Sequence, residues 1–554
     1  MREALETSAQ TSSATRTYSD LHEHLRTLEA AGLLVRVERP INKDTEMHPL
    51  VRWQFRGGIP EAERKAFFFE NVTDSKGRTY DIPVVVGALA ANREIYRLCI
   101  GSPLDEIDAT WSHAMNNPIS PRIVDRAPCQ EIVIEGDELD EEGKGLDGIP
   151  VPISTPGWDN APYTTTSHYI TRDPDTGVQN MGNYRGQLKA RRRLGMNPSV
   201  ELRQGIYTHW EKYRVRGEKM SCAVVLGAPP VVTLTSVQKV PESTDELSVA
   251  GGLAGEPINV VRAKTVDLLV PAESEIVIEG YIDTEYLEPE APFGESHGHV
   301  NLQEYNAVME VTAITRRRDA ILTSIISQVT PSESSLIKLV AYESVFLQHL
   351  RDHLGIKGIV RVFLHEALTN IRKVVVLQFK RGVAETEIWR ALYAASSYQR
   401  SVGKFVIAVD DDIDPYNTDA ILWAMSYRMK PHIDMQVLLH KDPGHGPRSH
   451  VGGHQDSAVL MNATLKEDFP PISLPKREFM EHAKTLWEEL GLPPLKPQAP
   501  WFGYSLGNWS EEFEEEASAA VNGDYFQTGE KLAQRRRNDV QMNTEVQEIR
   551  HDEG

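Results

Sequence analysis

Cysteine is scarce in this chain: Cys99, Cys129 and Cys222 are the only three in 554 residues. Their wide spacing and odd number exclude a disulfide framework and a cysteine-based zinc site, and fit a reducing compartment. Basic charge is also short, with 59 Lys plus Arg against 80 Asp plus Glu and a net charge of -21. Nucleic acid or an anionic membrane surface as main partner would need a basic face, so neither is expected. No run approaches the ~20 apolar residues of a membrane-spanning helix. Residues 1–18 are rich in Ser, Thr and Ala without an apolar stretch, and read as a disordered leader rather than a signal peptide. These absences predict a cytoplasmic protein. What is present, 40% hydrophobic and 25% charged residues, is ordinary globular composition, and the length suffices for two to four domains.

Hydrophobic patterning divides the chain. After the leader, Leu21, Leu25 and Leu28 recur at helical spacing and Gly32 stands where that helix would end. Leu33–Glu38 alternates like a strand and PVVVGALA (83–90) reads as a buried one, giving an N-terminal α/β region over 19–125. Across 126–328 strand-like runs dominate: EIVIEG (131–136), CAVVLGA (222–228), VVTLTS (231–236), DLLVPAESEIVIEGYI (267–282) and AVMEVTAIT (307–315). That pattern predicts a largely antiparallel barrel or sandwich. Thr330-Pro331-Ser332-Glu333 reads as a capping box with proline at the first helical position, opening an apolar helix. Strands near 357–363, 373–379, 405–409 and 436–439 then alternate with helices near 384–398 and 417–429. Over 329–475 this predicts a mostly parallel α/β domain. Residues 476–554 read as a helical tail with a disordered charged end.

Two segments carry candidate chemistry. In Glu290-Ala-Pro-Phe-Gly-Glu295 the proline and glycine forbid a regular helix, so two carboxylates sit on a constrained loop. Neighbouring carboxylates push their pKa values apart, leaving one ionised and one able to hold a proton. Two acids on a loop are more often solvated surface. In Asn180-Met-Gly-Asn-Tyr-Arg185 a neutral oxygen ligand precedes a guanidinium, whose planar fork suits a carboxylate substrate. Alone, that segment reads as a strand-to-turn with a surface arginine.

Together the segments resemble the UbiD-like family of prenylated-FMN-dependent decarboxylases. The series Asn180, Arg185, Glu246, Glu290, Glu295, Lys404 follows the family's order, inside the matching text NMGNYR, LVPAESEIVIEGYI, PEAPFGESHGH and VGKFVIAVDDDIDP. The resemblance covers roughly residues 20 to 470. It implies an α/β chain, α+β overall, with a central split β-barrel that binds the flavin and a C-terminal α/β oligomerisation domain. Arg185, Glu290 and Glu295 correspond to the family's catalytic Arg-Glu-Glu network, and Asn180 and Glu246 to ligands of a divalent metal at the cofactor phosphate. Oxygen ligands suit Mn²⁺ or Mg²⁺, with Fe²⁺ as an alternative. Lys404 corresponds to a phosphate-contacting lysine. Ser236 and Gln238 fall where backbone carbonyls bind K⁺, and Arg203-Gln204 is the family's Arg-Gln pair in the cofactor site. The family's third metal ligand, a histidine shortly before that pair, is missing here. Glu201 or His209 could replace it, or the metal has one protein ligand fewer.

The implied activity is non-oxidative decarboxylation of an aromatic, heteroaromatic or α,β-unsaturated acid. Arg185 would orient the carboxylate, Glu290 would fix Arg185, the cofactor would act as electron sink, and Glu295 would protonate the carbon after CO₂ leaves. Dependence on a flavin prenyltransferase and assembly as a homo-oligomer, dimer or hexamer, are implied with it. Rival readings are a non-catalytic assembly subunit, an ordinary FMN oxidoreductase, and an aromatic acyl-CoA decarboxylase of the phthaloyl-CoA kind. The last draws on Arg191–Arg193 and Arg316–Arg318, which could hold CoA phosphates but as charge runs more commonly form solvated faces. His440, His445, His450 and His454 match no helical zinc motif and read as a pocket-lining loop, with His450 a candidate for substrate contact.

Overall fold

The structure, a computed structural model, describes residues 16–198, 205–238, 240, 244–399, 402–442, 455–538 and 541–542. Glu201, Arg203, Gln204, His445, His450 and His454 lie outside the described residues, as do most of the leader and the extreme C-terminus. The chain forms two compact units: residues 1–408 with 430–462, and residues 409–429 with 463–554. No helix among the described residues is long and apolar enough to cross a membrane.

In the first unit, helix Leu21–Ala30 starts at Asp20, whose side chain accepts from Glu23 in a capping box. Gly32 follows with φ 69°, a left-handed position that glycine takes without strain. Strand Leu34–Val37 pairs with Ala66–Phe69, which pairs with Val84–Val86, and that strand in turn with Leu322–Ser324. The last residues of the central region therefore complete the N-terminal sheet.

The central region is a ten-stranded sheet. Its path runs Gln179–Asn183, Ser167–Arg172, Met220–Leu226, Ile276–Ile282, Glu304–Arg316, Arg193–Met196, Gly186–Ala190 and Tyr163–Thr164. Glu288–Glu290 and Ile132–Glu135 also pair with the long strand Glu304–Arg316. No ladder among the described residues closes the path, so the expected barrel is an open sheet in its hydrogen bonding.

Other expectations need correction. VVTLTS is not a strand but part of helix Pro230–Ser236, all seven residues of which are buried. Pro230 presets the first turn, and Thr235 and Ser236 bond back to the carbonyls of Val231 and Thr233, which offsets their strand preference. Helix Glu333–Gln348 is capped by Ser332 with Ser335 rather than by Thr330 with Glu333. Glu333 instead accepts from the backbone N–H groups of Gly87, Leu89 and Ala90.

The five-stranded C-terminal sheet is mixed, not mostly parallel. Ile359–Leu364 and Val374–Phe379 run antiparallel, as do Met435–Lys441 and Asp456–Asn462, while Phe405–Asp410 is parallel to Asp456–Asn462. The connection from Leu364 to Val374 is too short for a crossover helix, so it returns antiparallel.

The second unit carries helices Thr418–Tyr427, Arg477–Glu489, Glu511–Val521 and Tyr525–Ala533. Its buried Arg428 is bonded by Asp410 and Asp412, and Asp412 also accepts from the Tyr504 hydroxyl.

Candidate active site

The acidic loop is built by backbone geometry and by a second loop clamped to it. Glu290 ends strand Glu288–Glu290, and the buried Ala291 after it has φ 81°. A non-glycine residue there is strained, and such strain clusters at functional sites. Ala291 is held on both sides, its N–H donating to the Tyr163 hydroxyl at 3.1 Å and its carbonyl accepting from Asn160 at 2.8 Å. Gly294 donates to Asp159 at 2.8 Å, and a Cβ at Gly294 would lie 2.3 Å from the Thr155 hydroxyl. Only glycine lets the two loops approach this closely.

This turn delivers both carboxylates to one guanidinium. Arg185 lies between strands Gln179–Asn183 and Gly186–Ala190. Its Nε and Nη2 donate to the two oxygens of Glu290, each at 2.8 Å, and its Nη1 donates to Glu295. Side-chain exposure is 9% for Arg185, 0% for Glu290 and 15% for Glu295, so Glu295 is the open end of the network. The Phe293 ring lies 5.0 Å from the guanidinium carbon. Burial opposes the charge on Arg185, yet the Glu290 bonds and the two carboxylates outweigh it and raise its pKa above the ordinary value. Arginine is charged throughout. Three of its five N–H donors are used, which leaves two for a ligand carboxylate.

Asn180 sits on strand Gln179–Asn183, and Glu246 reaches the same strand from a helix. Glu246 is the first residue of helix Glu246–Ala254, and its Oε2 accepts from Met181 N at 2.7 Å. Burial pushes its pKa up to about 8. The buried Asn180 Nδ2 has no hydrogen-bond partner among the described residues, and a Cβ at Gly205 would lie 2.1 Å from Asn180 Oδ1. A buried carboxylate with no cation beside it among the described residues, near an amide whose oxygen can act as a neutral ligand, fits a metal ion. Among the described residues no cluster of three His, Cys, Asp or Glu adds to this pair. His209 Nδ1 lies 2.9 Å from the Thr171 hydroxyl, a partner other than Asn180. Ser236 ends its helix with its hydroxyl 2.8 Å from His168 Nδ1, and burial lowers the His168 pKa to about 3, so that ring is neutral.

Other sequence candidates are placed elsewhere. Lys404 Nζ is paired with Asp456 at 3.0 Å, on the C-terminal sheet and outside the Arg185 network. Arg191, Arg192 and Arg193 are paired with Asp147, Asp140 and Glu288. Arg316 is paired with Asp81 and Arg317 with Asp20. Five of the six arginines thus already have carboxylate partners. His440 Nδ1 lies 2.7 Å from Gln455 Oε1. Residues that sequence reasoning missed are Asp159, Asn160, Tyr163 and Asn306. Asp159 and Asn160 lie in a polar stretch with Pro and Gly at 152–162, which says nothing of the loop it clamps, and Tyr163 and Asn306 carry no local signal.

The chain matches the 3-octaprenyl-4-hydroxybenzoate carboxy-lyase N-terminal domain over residues 25–115, the Rift-related domain over 122–329 and the C-terminal domain over 338–445. Among solved structures, an evolved dimeric form of the UbiD-class enzyme HmfF from Pelotomaculum thermopropionicum, in complex with prFMN, is 30% identical. It covers 82% of this chain and 97% of its own, with a TM-score of 0.70. HmfF in complex with FMN is 29% identical over 84% of this chain and 100% of its own, with a TM-score of 0.73. The 3,4-dihydroxybenzoic acid decarboxylase from Enterobacter cloacae, 21% identical over 88% and 98% with a TM-score of 0.71, shares the fold. Matched in all three domains and by a 30% identical relative over most of its length, the chain belongs to the UbiD family of carboxy-lyases.

Proposed function

We propose that this enzyme catalyses the reversible non-oxidative decarboxylation of a free aromatic, heteroaromatic or α,β-unsaturated carboxylic acid with prenylated FMN. The observation that carries the reading is the buried Arg185, gripped by Glu290 through two bonds and touched by the more open Glu295. Glu290 holds the fork in one plane and offsets its charge, while the unused N–H groups of Arg185 take the substrate carboxylate. Glu295 holds the proton that the carbon needs after CO₂ departs. Protonation of Glu295 weakens its contact to Nη1 from a charge-assisted bond to one with a neutral acceptor.

Prenylated FMN, when bound, supplies the electron sink that an sp² carbon lacks on losing CO₂. The Asn180 amide oxygen and the Glu246 carboxylate would hold a divalent cation, Mn²⁺ first, with Mg²⁺ or Fe²⁺ as alternatives. The carbonyls of Ser236 and Gln238 would hold K⁺. Homo-oligomeric assembly is part of the proposal, supported by the exposed Leu422 and Tyr427 on helix Thr418–Tyr427, at 53% and 67%. Native mass spectrometry showing only a 62.2 kDa monomer at micromolar concentration would remove it.

The test is production with and without a flavin prenyltransferase, followed by ¹³CO₂ exchange over a panel of aromatic acids and their CoA esters. Exchange with free acids only after co-production is the expected result. Its absence from every acid would overturn the reading.

A further inference from the structure

The acidic turn is gripped at two separate points by neighbouring residues of the loop before Tyr163. Asn160 holds its start: Nδ2 donates to the Ala291 carbonyl at 2.8 Å and the backbone N–H to that of Pro292 at 3.2 Å. Tyr163 completes this grip, its hydroxyl accepting from Ala291 N at 3.1 Å and donating to Asn160 Oδ1 at 3.2 Å. Gln187, two residues beyond Arg185, also donates to Asn160 Oδ1 at 3.0 Å and pairs with Tyr163 in the sheet. The position of Glu290 is thus fixed against the strand that continues from Arg185.

Asp159 holds the other end. One of its oxygens accepts from Gly294 N at 2.8 Å, and the other from Thr155 N at 2.7 Å within its own loop. Trp158 N and Asp159 N turn back onto the Thr155 carbonyl at 3.0 and 3.1 Å, and Ile153 N donates to the Lys43 carbonyl at 3.2 Å. Asp159 therefore stands on an anchored turn. Gly294 is the base of a hairpin in which Phe293–Gly294 pairs with Val300–Asn301. At its tip Glu295 N donates to the His299 carbonyl and Gly298 N to the Glu295 carbonyl, both at 3.0 Å. Those bonds shape the tip but lie wholly inside the hairpin, so they do not set its angle to Arg185. The bond from Gly294 to Asp159, one residue before Glu295, leaves the hairpin and does.

We infer that Asp159 and Asn160 are positioning residues with separate tasks: Asp159 sets the reach of Glu295 to the reacting carbon, and Asn160, with Tyr163, sets the Glu290–Arg185 pair that takes the carboxylate. The kinetic tasks rest on the decarboxylase reading; the two tethers do not. Once CO₂ has left, the carbon either takes CO₂ back or takes the proton of the Glu295 carboxyl, whose O–H bond breaks as the C–H bond forms. Loosening Glu295 slows only the second course, so more ¹³CO₂ enters recovered acid per molecule of product. Loosening Arg185 weakens carboxylate binding and gives exchange no advantage over product. A general loss of folded enzyme lowers exchange and product together.

The test is measurement of ¹³CO₂ exchange and product formation by the holoprotein, with the first free aromatic acid that wild type decarboxylates. Asp159→Ala should raise the ratio of exchange to product roughly ten-fold with KM near wild type. Asp159→Asn, which keeps one acceptor oxygen, should fall between the two. Asn160→Ala and Tyr163→Phe should raise KM several-fold without raising the ratio. Hydrogen-exchange mass spectrometry reads the tethers without chemistry. Asp159→Ala should speed exchange in peptides over 293–299, and Tyr163→Phe in those over 289–292. An unchanged ratio in Asp159→Ala, or the same change of KM and ratio in the Asp159 and Asn160 variants, would overturn the division of tasks. So would hydrogen exchange that rises equally over both segments in either variant. Wild type that turns over no acid would count against the decarboxylase reading, while the hydrogen-exchange pattern still decides the tethers.

Discussion

Asn306 Nδ2 donates to Glu290 Oε2 at 3.1 Å, so the buried carboxylate that grips Arg185 is itself held from the long central strand. Removing that bond should loosen the arginine without touching a ligand. Asn306→Ala is expected to cost about 1.5 kcal/mol of transition-state binding, roughly a ten-fold fall in kcat/KM. Glu290→Gln removes the charge itself and should fall further, by about 100-fold. Equal kinetics in wild type and both variants would show that Arg185 needs neither group.

Glu295→Gln should keep the contact to Arg185 but has no proton to give. Turnover is expected to drop by about 10²–10⁴ while flavin absorbance and circular dichroism stay as in wild type. Exchange of ¹³CO₂ at near-normal rate by this variant would take Glu295 out of the chemistry.

Glu246→Ala should lose divalent metal and flavin together, because Asn180 alone is too weak a ligand set to keep the ion. Metal analysis and the absorption spectrum read this directly. A metal-free variant that retains stoichiometric flavin contradicts the assignment.

Glu333 makes stability depend on pH. Burial raises its pKa from 4.5 to about 7, although three backbone N–H bonds pull it down. A folded pKa above the unfolded one means the folded state binds the extra proton. The contribution is therefore full below about pH 4.5 and lost as pH rises through about 7. Glu333→Gln, permanently neutral, should gain on wild type between pH 5 and pH 8, by on the order of 2 °C in Tm. A Tm difference that stays constant across this range rules the effect out.

Much of this protein was legible locally. Helix Leu21–Ala30 with its glycine stop, and strands such as Met220–Leu226 and Glu304–Arg316, follow from periodicity and turn residues within a dozen positions. The Glu290–Glu295 loop was readable as constrained, because proline and glycine act on their own backbone. It was the resemblance to the UbiD-like family that named Arg185, Glu290 and Glu295 as one network; the residues alone read as surface. Tertiary structure decided what local preference cannot reach. VVTLTS has strand-like residues but is a helix, because full burial and its own hydroxyl bonds outweigh a propensity worth about 1 kcal/mol. Asn306, Asp159 and Tyr163 serve the site from distant segments, and Thr330 ties down the loop at 368–370 from a distance of some forty residues. Such meetings depend on strand register and on burial shared across hundreds of residues, whereas backbone preference acts over only a few.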